Sequence, residues 1–366
     1  MDIVVDGTIY ERQRVGGISR VFNQILPRVC DLHPDLEIEI RTLDIAVAQT
    51  PPTHPAIRHV SIPLLRPART WSRIAPWAQQ QARAGLPRRA IWHSTYYTDP
   101  PAWLGPRVVT AHDTIHLRYA DVWVGADADA FRQLQRRVIL AADAVLCVSE
   151  TTRRDVIDWF GVAPDRLHVV HLSHDAVFRP HEPSAALRAA HHLDAPFILY
   201  VGGRFLYKSF GTMLEAYARW RHRSDIHLAV VGEPWTQEEE AQLDRLGIRD
   251  RVRLLRDVDD DALAALYNLA EAFVHTSLYE GFGIPILEAM ACGCPLVASR
   301  IPTTEEVAQD VPFYFEPGDA DGLADALDRA VAESRDGTHV ERGVMRAGQF
   351  SWERAAAETL AVYRSL

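Results

Sequence analysis

The sequence alternates short apolar runs with segments of helical periodicity, and this alternation restricts the fold more than any other feature of the chain. Short apolar runs bounded by turn residues predict buried strands, whereas apolar side chains at helical spacing predict helices. Strands that alternate with helices form parallel sheets whose faces are covered by the helices. Strands are predicted at Ile3–Val5, Ile38–Thr42, Val108–Ala111, Ala144–Val148 and His168–Val170, and again at Phe197–Val201, Leu228–Val231, Val252–Leu254, Ala272–His275, Leu296–Ala298 and Phe313–Phe315.

The length of the chain favours two domains. Its 366 residues exceed what one hydrophobic core usually supports. The segment Phe178–Pro196 interrupts the alternation with prolines and a polar, alanine-rich stretch, so the boundary is predicted near residue 182. The expected architecture is α/β, with doubly wound parallel-sheet domains at residues 1–182 and 183–347 that face each other across a cleft. A last helix is expected within residues 348–366.

Composition and charge exclude several classes of protein. A formal net charge of −10 argues against a nucleic-acid partner, because such proteins usually present a basic face. No apolar run approaches the roughly 18 residues of a membrane-spanning helix, and the first residues enter a strand without a signal-peptide pattern, so a cytoplasmic location is expected. The four cysteines are scattered and lack histidines at metal-binding spacing, which predicts reduced, buried thiols.

One segment of the first domain combines arginine with tryptophan. Trp71 and Trp77 alternate with six arginines between residues 66 and 89. A basic, aromatic stretch of this kind could meet anionic lipid head groups, which would place the protein peripherally at the inner face of a membrane. The alternative is a solvated helix face with both tryptophans packed inward.

The segment from Ala272 to Ser299 carries the strongest functional signal. Its apolar run ends in a glycine-containing loop, and Pro285 then stands where the first turn of a helix accepts proline. The free N–H groups at such a helix start can hold a phosphate or a sugar oxygen. Glu280 and Glu288 flank the loop. Glu288, one turn inside that helix, is expected at the rim of the same pocket. Because a carboxylate repels phosphate, it is expected to accept hydrogen bonds from the hydroxyls of a ribose or a hexose, which predicts a nucleotide-sugar site.

A second loop carries two cations. The predicted strand Phe197–Val201 runs into Gly202 and Gly203, followed by Arg204 and, after three further residues, Lys208. Cations at a strand end can converge on a pyrophosphate, Arg204 through its fork of N–H groups and Lys208 as a point charge. This arrangement suits a diphosphate leaving group. The alternative is a surface loop with two solvated cations.

Weaker signals lie in the first domain. Gly16 and Gly17 precede a helical segment, so their backbone can approach a ligand closely while the helix start offers N–H donors; a simple turn is the alternative. His112 follows the strand Val108–Ala111, where its imidazole could hydrogen-bond a sugar hydroxyl or serve a structural purpose. His93 follows an apolar run in the same way, and a structural role is favoured for it.

An aspartate-rich run raises the question of a metal ion. Asp257, Asp259, Asp260 and Asp261 include the D-x-D spacing that binds Mg²⁺ or Mn²⁺ with a nucleotide diphosphate in one class of sugar transferases. The run directly precedes the apolar segment Leu263–Leu269, where its carboxylates would cap a helix and stabilise its dipole. Helix capping is the favoured interpretation, so no metal ion and no other cofactor is expected.

Taken in order, these motifs resemble those of glycosyltransferase family 4, whose members have the GT-B fold of two facing Rossmann-like domains. The E-x7-E segment from Glu280 to Glu288 is a specific match, and the stretch YVGGRFLYKSF is similar to the arginine- and lysine-containing phosphate loop of this family. Gly16-Gly17 and His112-Asp113 are weaker matches in the expected order. The resemblance covers both predicted domains and is stronger in the second.

The resemblance implies a role for each matching residue. Arg204 and Lys208 would bind the pyrophosphate of the sugar donor, Glu280 the sugar hydroxyls and Glu288 the ribose. His112 would contact the transferred sugar near the reaction centre. The remaining matches would assist through their backbone at the sugar and the phosphates: Gly16, Gly17, Gly203, Phe282, Gly283 and Ile284. No covalent nucleophile is implied, because the acceptor hydroxyl attacks from the front face and the departing phosphate takes its proton.

The implied activity is a retaining, metal-independent transfer of a hexose from a nucleotide diphosphate sugar to a hydroxyl of a glycan or lipid-linked acceptor in cell-surface polysaccharide synthesis. The compact G-G-R-x-x-Y-K spacing resembles the bacterial polysaccharide-building branch, so mannose from GDP-mannose is favoured. The alternatives are a UDP- or dTDP-sugar-dependent transferase of the same fold, a GT-B nucleotide-sugar 2-epimerase and a catalytically silent sugar-nucleotide-binding protein. In GT-B proteins the last helix often crosses back to the first domain, which is expected of residues 348–366.

Overall fold

The chain forms two compact units, each built around its own parallel sheet. The first unit comprises Met1–Leu172 together with Ser351–Leu366, and the second comprises Ser173–Phe350. The computed structural model describes residues 1–12, 16–43, 49–62, 89–100, 102–182, 195–332 and 337–366.

Within the described residues, the sheet of the first unit has seven parallel strands in the order β3-β2-β1-β4-β5-β6-β7. They are β1 (Asp2–Val5), β2 (Glu37–Leu43), β3 (Ile57–Ile62), β4 (Ile91–Ser94), β5 (Arg107–Ala111), β6 (Ala144–Cys147) and β7 (Leu167–Val169). Every residue of β4 and β6 is buried, as expected of parallel strands that are covered on both faces. The strand order reverses between β1 and β4, and ligands of such sheets bind beyond the carboxyl ends of the strands at this reversal.

Helices accompany these strands in the first unit: α1 (Thr8–Arg12), α2 (Gly17–Leu32), α3 (Ile115–Arg118), α4 (Ala126–Ala141) and α5 (Glu150–Phe160). The ends of α5 follow from its sequence. The Ser149 hydroxyl accepts a hydrogen bond from the N–H of Thr152, and Gly161 ends the helix in the left-handed conformation. Phe160 packs with Val109 and Val145 in the core of this unit.

The sheet of the second unit has six parallel strands among the described residues, in the order β10-β9-β8-β11-β12-β13. They are β8 (Phe197–Val201), β9 (His227–Val231), β10 (Val252–Leu255), β11 (Ala272–His275), β12 (Leu296–Ser299) and β13 (Phe313–Phe315). The order reverses between β8 and β11, which pair directly with Ile198 opposite Ala272 and Leu199 opposite Phe273. The loops that follow these two strands therefore start side by side at the carboxyl edge of the sheet.

The helices of the second unit are α6 (Phe210–Arg219), α7 (Gln237–Leu246), α8 (Asp260–Leu269), α9 (Ile284–Ala291), α10 (Pro302–Ala308), α11 (Ala320–Ala332) and α12 (Thr338–Ala347). They enclose a hydrophobic core. In this core Tyr217 of α6 and Trp220, which caps the C-terminal end of α6, pack with Leu228 of β9 and Leu327 of α11. This core is separate from that of the first unit.

The last helix, α13 (Trp352–Ser365), belongs to the first unit and packs along α2. Its Tyr363 hydroxyl lies 2.5 Å from Nδ1 of His93, whose Nε2 lies 2.9 Å from the Thr110 hydroxyl. Arg28 of α2 forms an ion pair with Glu353 at 2.9 Å. His93 is 1% exposed, and its two hydrogen bonds are consistent with the structural role that the sequence favoured.

The division between the units lies closer to the start of the chain than the sequence predicted. The boundary was expected near residue 182, whereas the second unit begins at Ser173. The reason lies in the packing of the intervening residues. Phe178 contacts the ring of Tyr267 edge-on, and the N–H of His181 donates to the side chain of Asn268 at 3.0 Å.

Each predicted strand is present, with its ends shifted by at most one residue. β3 was not predicted, and β4 was noticed only as an apolar run. Among the described strands β3 pairs with β2 at the edge of the sheet, and Arg58, His59 and Ser61 interrupt its apolar residues, so it lacks the continuous apolar pattern of the covered strands.

Some predictions concern features other than strands. The basic, tryptophan-containing stretch of residues 66–89 lies outside the described residues, apart from Arg89. No helix in the described part of the chain is long and apolar enough to cross a membrane. The four cysteines are buried and form no disulfide, as predicted.

Candidate functional site

Hydrogen bonds join the loops after β8 and β11 into one framework at the carboxyl edge of the second sheet. The N–H of Leu278 donates to the carbonyl of Tyr207 at 2.7 Å. The Thr276 hydroxyl donates to the carbonyl of Lys208, also at 2.7 Å. These bonds hold the two loops in one register, which is what a preorganised site requires.

An ion pair between Lys208 and Glu280 lies within this framework. Lys208 Nζ is 2.6 Å from Glu280 Oε1, and the two side chains are 23% and 13% exposed. Glu280 also accepts a hydrogen bond from the Ser277 hydroxyl at 2.6 Å, and Nε2 of His275 lies 3.3 Å away. Burial acts to raise the pKa of Glu280, but the charge of Lys208 and the His275 contact outweigh it and hold the pKa well below its usual range. Glu280 is therefore a carboxylate at neutral pH and accepts hydrogen bonds from hydroxyls.

Arg204, in the loop after β8, belongs to a second cluster of charged and polar groups. Its Nε donates to Glu239 Oε1 at 2.6 Å and its Nη2 to Glu239 Oε2 at 3.1 Å, so the pair is bidentate. Nη2 also donates to the carbonyls of Glu233 and Pro234, and the guanidinium lies 4.6 Å from the centre of the Trp235 ring. The Nη1 atom is buried and has no hydrogen-bond partner among the described residues. Nη1 is thus the part of Arg204 with unused donors.

The start of α9 has the backbone that the sequence predicted for an anion site. Gly283 has a φ of +101°, in the left-handed region, and a Cβ there would lie 3.1 Å from a neighbouring side chain. Pro285 occupies the first turn, as predicted. Phe282 is buried and packs edge-on against Phe350, so only its backbone is suited to a ligand. Ile284 begins the helix, and its N–H group belongs to the first turn.

Glu288 lies one turn into α9 and is 3% exposed. The hydroxyl of the buried Tyr267 donates to its Oε2 at 3.2 Å. Burial and the charge of Glu288 raise the pKa of Tyr267 well above its usual value, so this hydroxyl keeps its proton. The carboxylate that the sequence placed at the rim of a pocket is therefore enclosed beside a tyrosine.

Gly203 shapes the loop after β8. Its carbonyl accepts a hydrogen bond from the Tyr200 hydroxyl at 2.8 Å. A Cβ on Gly203 would lie 2.8 Å from the ring of Phe205, so a larger residue would force that ring to move.

The remaining candidates lie in the first unit. Gly16 is the N-cap of α2 and Gly17 is its first residue. The Gly16 carbonyl accepts a hydrogen bond from the Ser19 hydroxyl at 3.0 Å. Residues 13–15, which precede these glycines, are outside the described ranges.

His112 follows β5 and is 7% exposed. Its Nε2 lies 3.0 Å from the carbonyl oxygen of Thr95. Burial lowers the pKa of His112 to about 4, with the Thr95 hydrogen bond and the charge of Asp6 acting in the opposite direction. The ring is therefore neutral at pH 7, and it can donate from one nitrogen and accept at the other.

The aspartate run caps a helix, as predicted. Asp259 is the N-cap of α8 and accepts a hydrogen bond from the N–H of Ala262 at 2.8 Å. Asp260 and Asp261 occupy the first turn, where negative charge stabilises the helix dipole. Among the described residues, no group of three or more His, Cys, Asp or Glu side chains is arranged to hold a metal ion.

Sequence reasoning missed the partners of the charged residues. Thr236 and Glu239 form a capping box at the start of α7, and their T-x-x-E spacing signals this helix start. The same spacing does not reveal that Glu239 also binds Arg204. His275 and Ser277 lie inside the segment that the sequence singled out, but their contacts with Glu280 depend on the path of the loop.

Comparison with known proteins assigns the chain to a family. A model described as Glycosyltransferase Family 4 matches residues 16–178, and one described as Glycosyl transferases group 1 matches residues 186–342. The O-antigen chain mannosyltransferase B of Escherichia coli is 30% identical over 301 residues, which are 76% of this chain and 78% of that protein. The chain belongs to glycosyltransferase family 4. The prediction of a glycosyltransferase is thereby confirmed.

Further relatives of this glycosyltransferase extend the similarity. The MMP α-(1→4)-mannosyltransferase of Mycolicibacterium hassiacum is 35% identical over 243 residues, 64% of this chain and 56% of that protein. The structure of sucrose-phosphate synthase from Thermosynechococcus elongatus matches with a TM-score of 0.77 at 20% identity, over 100% of this chain and 98% of that one. Anabaena HepE in complex with UDP and glucose matches with a TM-score of 0.76 at 18% identity, over 100% of both chains. These structures show the fold, and the predicted GT-B fold with two parallel-sheet α/β domains is confirmed.

Proposed function

We propose that this glycosyltransferase moves a hexose, with mannose from GDP-mannose favoured, to a hydroxyl of a glycan or lipid-linked acceptor in cell-surface polysaccharide synthesis. The observation that carries the proposal is the pair of Lys208 and Glu280, with 2.6 Å between Nζ and Oε1, where the strand order of the second sheet reverses. Ligands of open parallel sheets bind at such a reversal. The two similar mannosyltransferases support mannose as the sugar.

A bound sugar diphosphate would give Lys208 and Glu280 separate partners in place of each other. The phosphates offer Lys208 an anionic partner, and the sugar hydroxyls offer hydrogen-bond donors to Glu280. As the bond between the sugar and the diphosphate breaks, negative charge grows on the leaving oxygen next to Lys208. A charge-assisted hydrogen bond contributes about 1.5 to 3 kcal/mol, and the part gained only in the transition state accelerates the reaction. The joined loops favour this gain because little reorganisation is needed.

Transfer in this proposal retains the configuration of the anomeric carbon and needs no metal ion. The acceptor hydroxyl attacks on the face that the diphosphate leaves, and the departing phosphate takes the proton. Positive charge comes from Lys208, from Nη1 of Arg204 and from the N–H groups at the start of α9. The use of Asp259 as a helix cap supports a reaction without a D-x-D metal site. His112 would contact the transferred sugar, and Glu288 the ribose.

The reaction is proposed to take place in the cytoplasm, with peripheral contact at the inner face of the membrane for a lipid-linked acceptor. The arginine- and tryptophan-rich residues 66–89 are the segment proposed for this contact.

A thermal-shift panel of UDP, GDP, dTDP and ADP tests the sugar donor. A ligand that binds the folded protein stabilises it by RT ln(1 + [L]/Kd), about 2.7 kcal/mol at a hundredfold excess over Kd. GDP and then GDP-mannose should give the largest shifts. A larger shift with UDP or dTDP would assign the alternative sugar donor, and no shift with any nucleotide would contradict a sugar-nucleotide function.

The metal-free reaction is tested by measuring transfer in EDTA. Transfer that fails in EDTA and returns with Mg²⁺ would contradict the metal-free reaction.

A matched pair of variants tests the site itself. Lys208→Ala should weaken GDP binding and mannose transfer about a hundredfold, equivalent to about 2.7 kcal/mol. Arg219→Ala removes an exposed cation of the same unit, paired with Asp321, and should change neither. Nucleotide affinity is measured by calorimetry, because loss of Lys208 also alters stability. Equal affinities in Lys208→Ala and the unaltered protein would exclude this site.

A further inference from the structure

A buried carboxylate lies where the strand order of the first sheet reverses. Asp6 directly follows β1 and is 0% exposed. It accepts hydrogen bonds from the N–H of Thr8 at 3.2 Å and from the Ser94 hydroxyl at 3.1 Å. The hydroxyls of Thr95 and Thr98 also donate to it. Burying a carboxylate is costly unless donors replace its water, so Asp6 holds the segment from Ser94 to Thr98 against the end of β1.

Thr95 connects this carboxylate to His112. Its hydroxyl donates to Asp6, and its backbone carbonyl is the oxygen that lies 3.0 Å from Nε2 of His112. A carbonyl oxygen can only accept a hydrogen bond, so the proton of this contact is on Nε2. The position of the Thr95 carbonyl, which Asp6 helps to set, therefore selects which nitrogen of His112 carries the proton.

We infer that Asp6 is a positioning residue, which acts through Thr95 to hold His112 as the Nε2–H tautomer with Nδ1 as the hydrogen-bond acceptor. No described residue donates a hydrogen bond to Nδ1. An acceptor nitrogen takes a hydrogen bond from a hydroxyl and repels a phosphate oxygen. The role of Nδ1 as an acceptor for the sugar rests on the proposed function, which places His112 at the transferred sugar. The inference adds that the tautomer set through Thr95 makes Nδ1 the acceptor for a hydroxyl of that sugar.

Two threonine variants on the same carboxylate test this inference. Thr95→Val and Thr98→Val each remove one hydroxyl donor from Asp6, but Thr95 alone carries the carbonyl that contacts His112. Selective ¹⁵N labelling of histidine distinguishes the two neutral tautomers by NMR, and His112→Gln identifies the signal. The Nε2–H tautomer should dominate in the unaltered protein and in Thr98→Val. In Thr95→Val and in Asp6→Asn the populations should become mixed.

Kinetics provide the second measurement. Thr95→Val should lower kcat about tenfold or more while KM for the sugar nucleotide changes by less than about twofold, since an ångström-scale displacement affects the reacting geometry more than binding. Thr98→Val should keep both constants close to those of the unaltered protein. Circular dichroism establishes that each compared variant is folded. If Asp6→Asn fails to fold, the two threonine variants still decide the question.

The outcomes separate this inference from the proposed function. Unchanged tautomer populations in folded Thr95→Val would overturn the inference, as would equal kinetic losses in the two threonine variants. A tautomer change in Thr95→Val, in a protein that transfers no sugar from any nucleotide, would support the positioning by Asp6 and contradict the proposed function.

Discussion

Replacing Arg204 by alanine should destabilise the second unit in addition to removing a ligand contact. The side chains of Arg204 and Glu239 are 6% and 15% exposed and meet through two hydrogen bonds. Burial acts to raise the pKa of Glu239, but Arg204 and the bonds to Thr236 outweigh it and lower the pKa. Removal of Arg204 would leave this carboxylate ionised without its cation, and the carbonyls of Glu233 and Pro234 would lose a donor.

The expected loss is about 3 kcal/mol. Removal of one partner from a buried ion pair costs about 3 to 5 kcal/mol, and the remaining exposure of Glu239 favours the lower end. For a unit of this size, each kcal/mol lowers Tm by about 2 to 4 °C, so Arg204→Ala should melt about 6 to 12 °C lower. Arg219→Ala, at a side chain that is 56% exposed, should change the free energy of unfolding by less than about 1 kcal/mol.

Differential scanning calorimetry without nucleotide measures this effect. The double variant Arg204→Ala/Glu239→Ala should lose less than the sum of the two single variants, because the unpaired carboxylate is also removed. A Tm for Arg204→Ala within about 2 °C of the unaltered protein would refute the reasoning. If the loss is observed, reduced transfer by Arg204→Ala is not by itself evidence of a phosphate contact.

Two further predictions concern backbone strain and pH. Gly283→Ala should lower the free energy of unfolding by about 1 to 3 kcal/mol in urea denaturation, because its φ is +101° and an added Cβ would lie 3.1 Å from the side chain of Ile286. Gly125→Ala, with φ +107° and open space around it, has the strain without the crowding and should lose less; equal losses in both would contradict the contribution from crowding. Burial lowers the pKa of His93 to about 3 and that of His112 to about 4. Between these values and the ordinary histidine pKa of about 6.5, the unfolded chain binds protons that the folded chain does not. Stability that is present above pH 6.5 should therefore fall by about 1.4 kcal/mol per pH unit for each histidine as the pH decreases toward 4. Calorimetry between pH 7 and 5 measures this slope, which should be smaller in His112→Gln; identical slopes would contradict the assignment.

The strands could be predicted because each covered parallel strand is a continuous apolar run whose signal is local. The run Phe197–Val201 agrees with β8 at both ends. β3 escaped prediction because this edge strand carries exposed polar residues, Arg58, His59 and Ser61, in place of a continuous apolar run. The unit boundary depends on which of the two units Ser173–Phe178 packs against. Such long-range packing leaves no periodic signal in the sequence.

The candidate site was predictable as a set of residue types but not as a set of pairs. The segment around Glu280 and the cations Arg204 and Lys208 could be identified because they follow predicted strands. In the structure Lys208 pairs with Glu280 and Arg204 pairs with Glu239. These pairings depend on the conformations of the loops, which the sequence pattern does not give. Arg204 and Glu239 are separated in sequence by α6 and β9, and no sequence pattern pairs them.

The return of α13 to the first unit determines when that unit can be completed during synthesis. The second unit is continuous in sequence, whereas the first needs both Met1–Leu172 and Ser351–Leu366. At about 5 to 20 residues per second, the ribosome needs roughly 10 to 35 s to proceed from Leu172 to Ser351. Throughout that interval the face of α2 that receives α13 stays uncovered and His93 lacks its tyrosine partner. The first unit, although its synthesis begins earlier, can therefore be completed only after the whole of the second unit has been made.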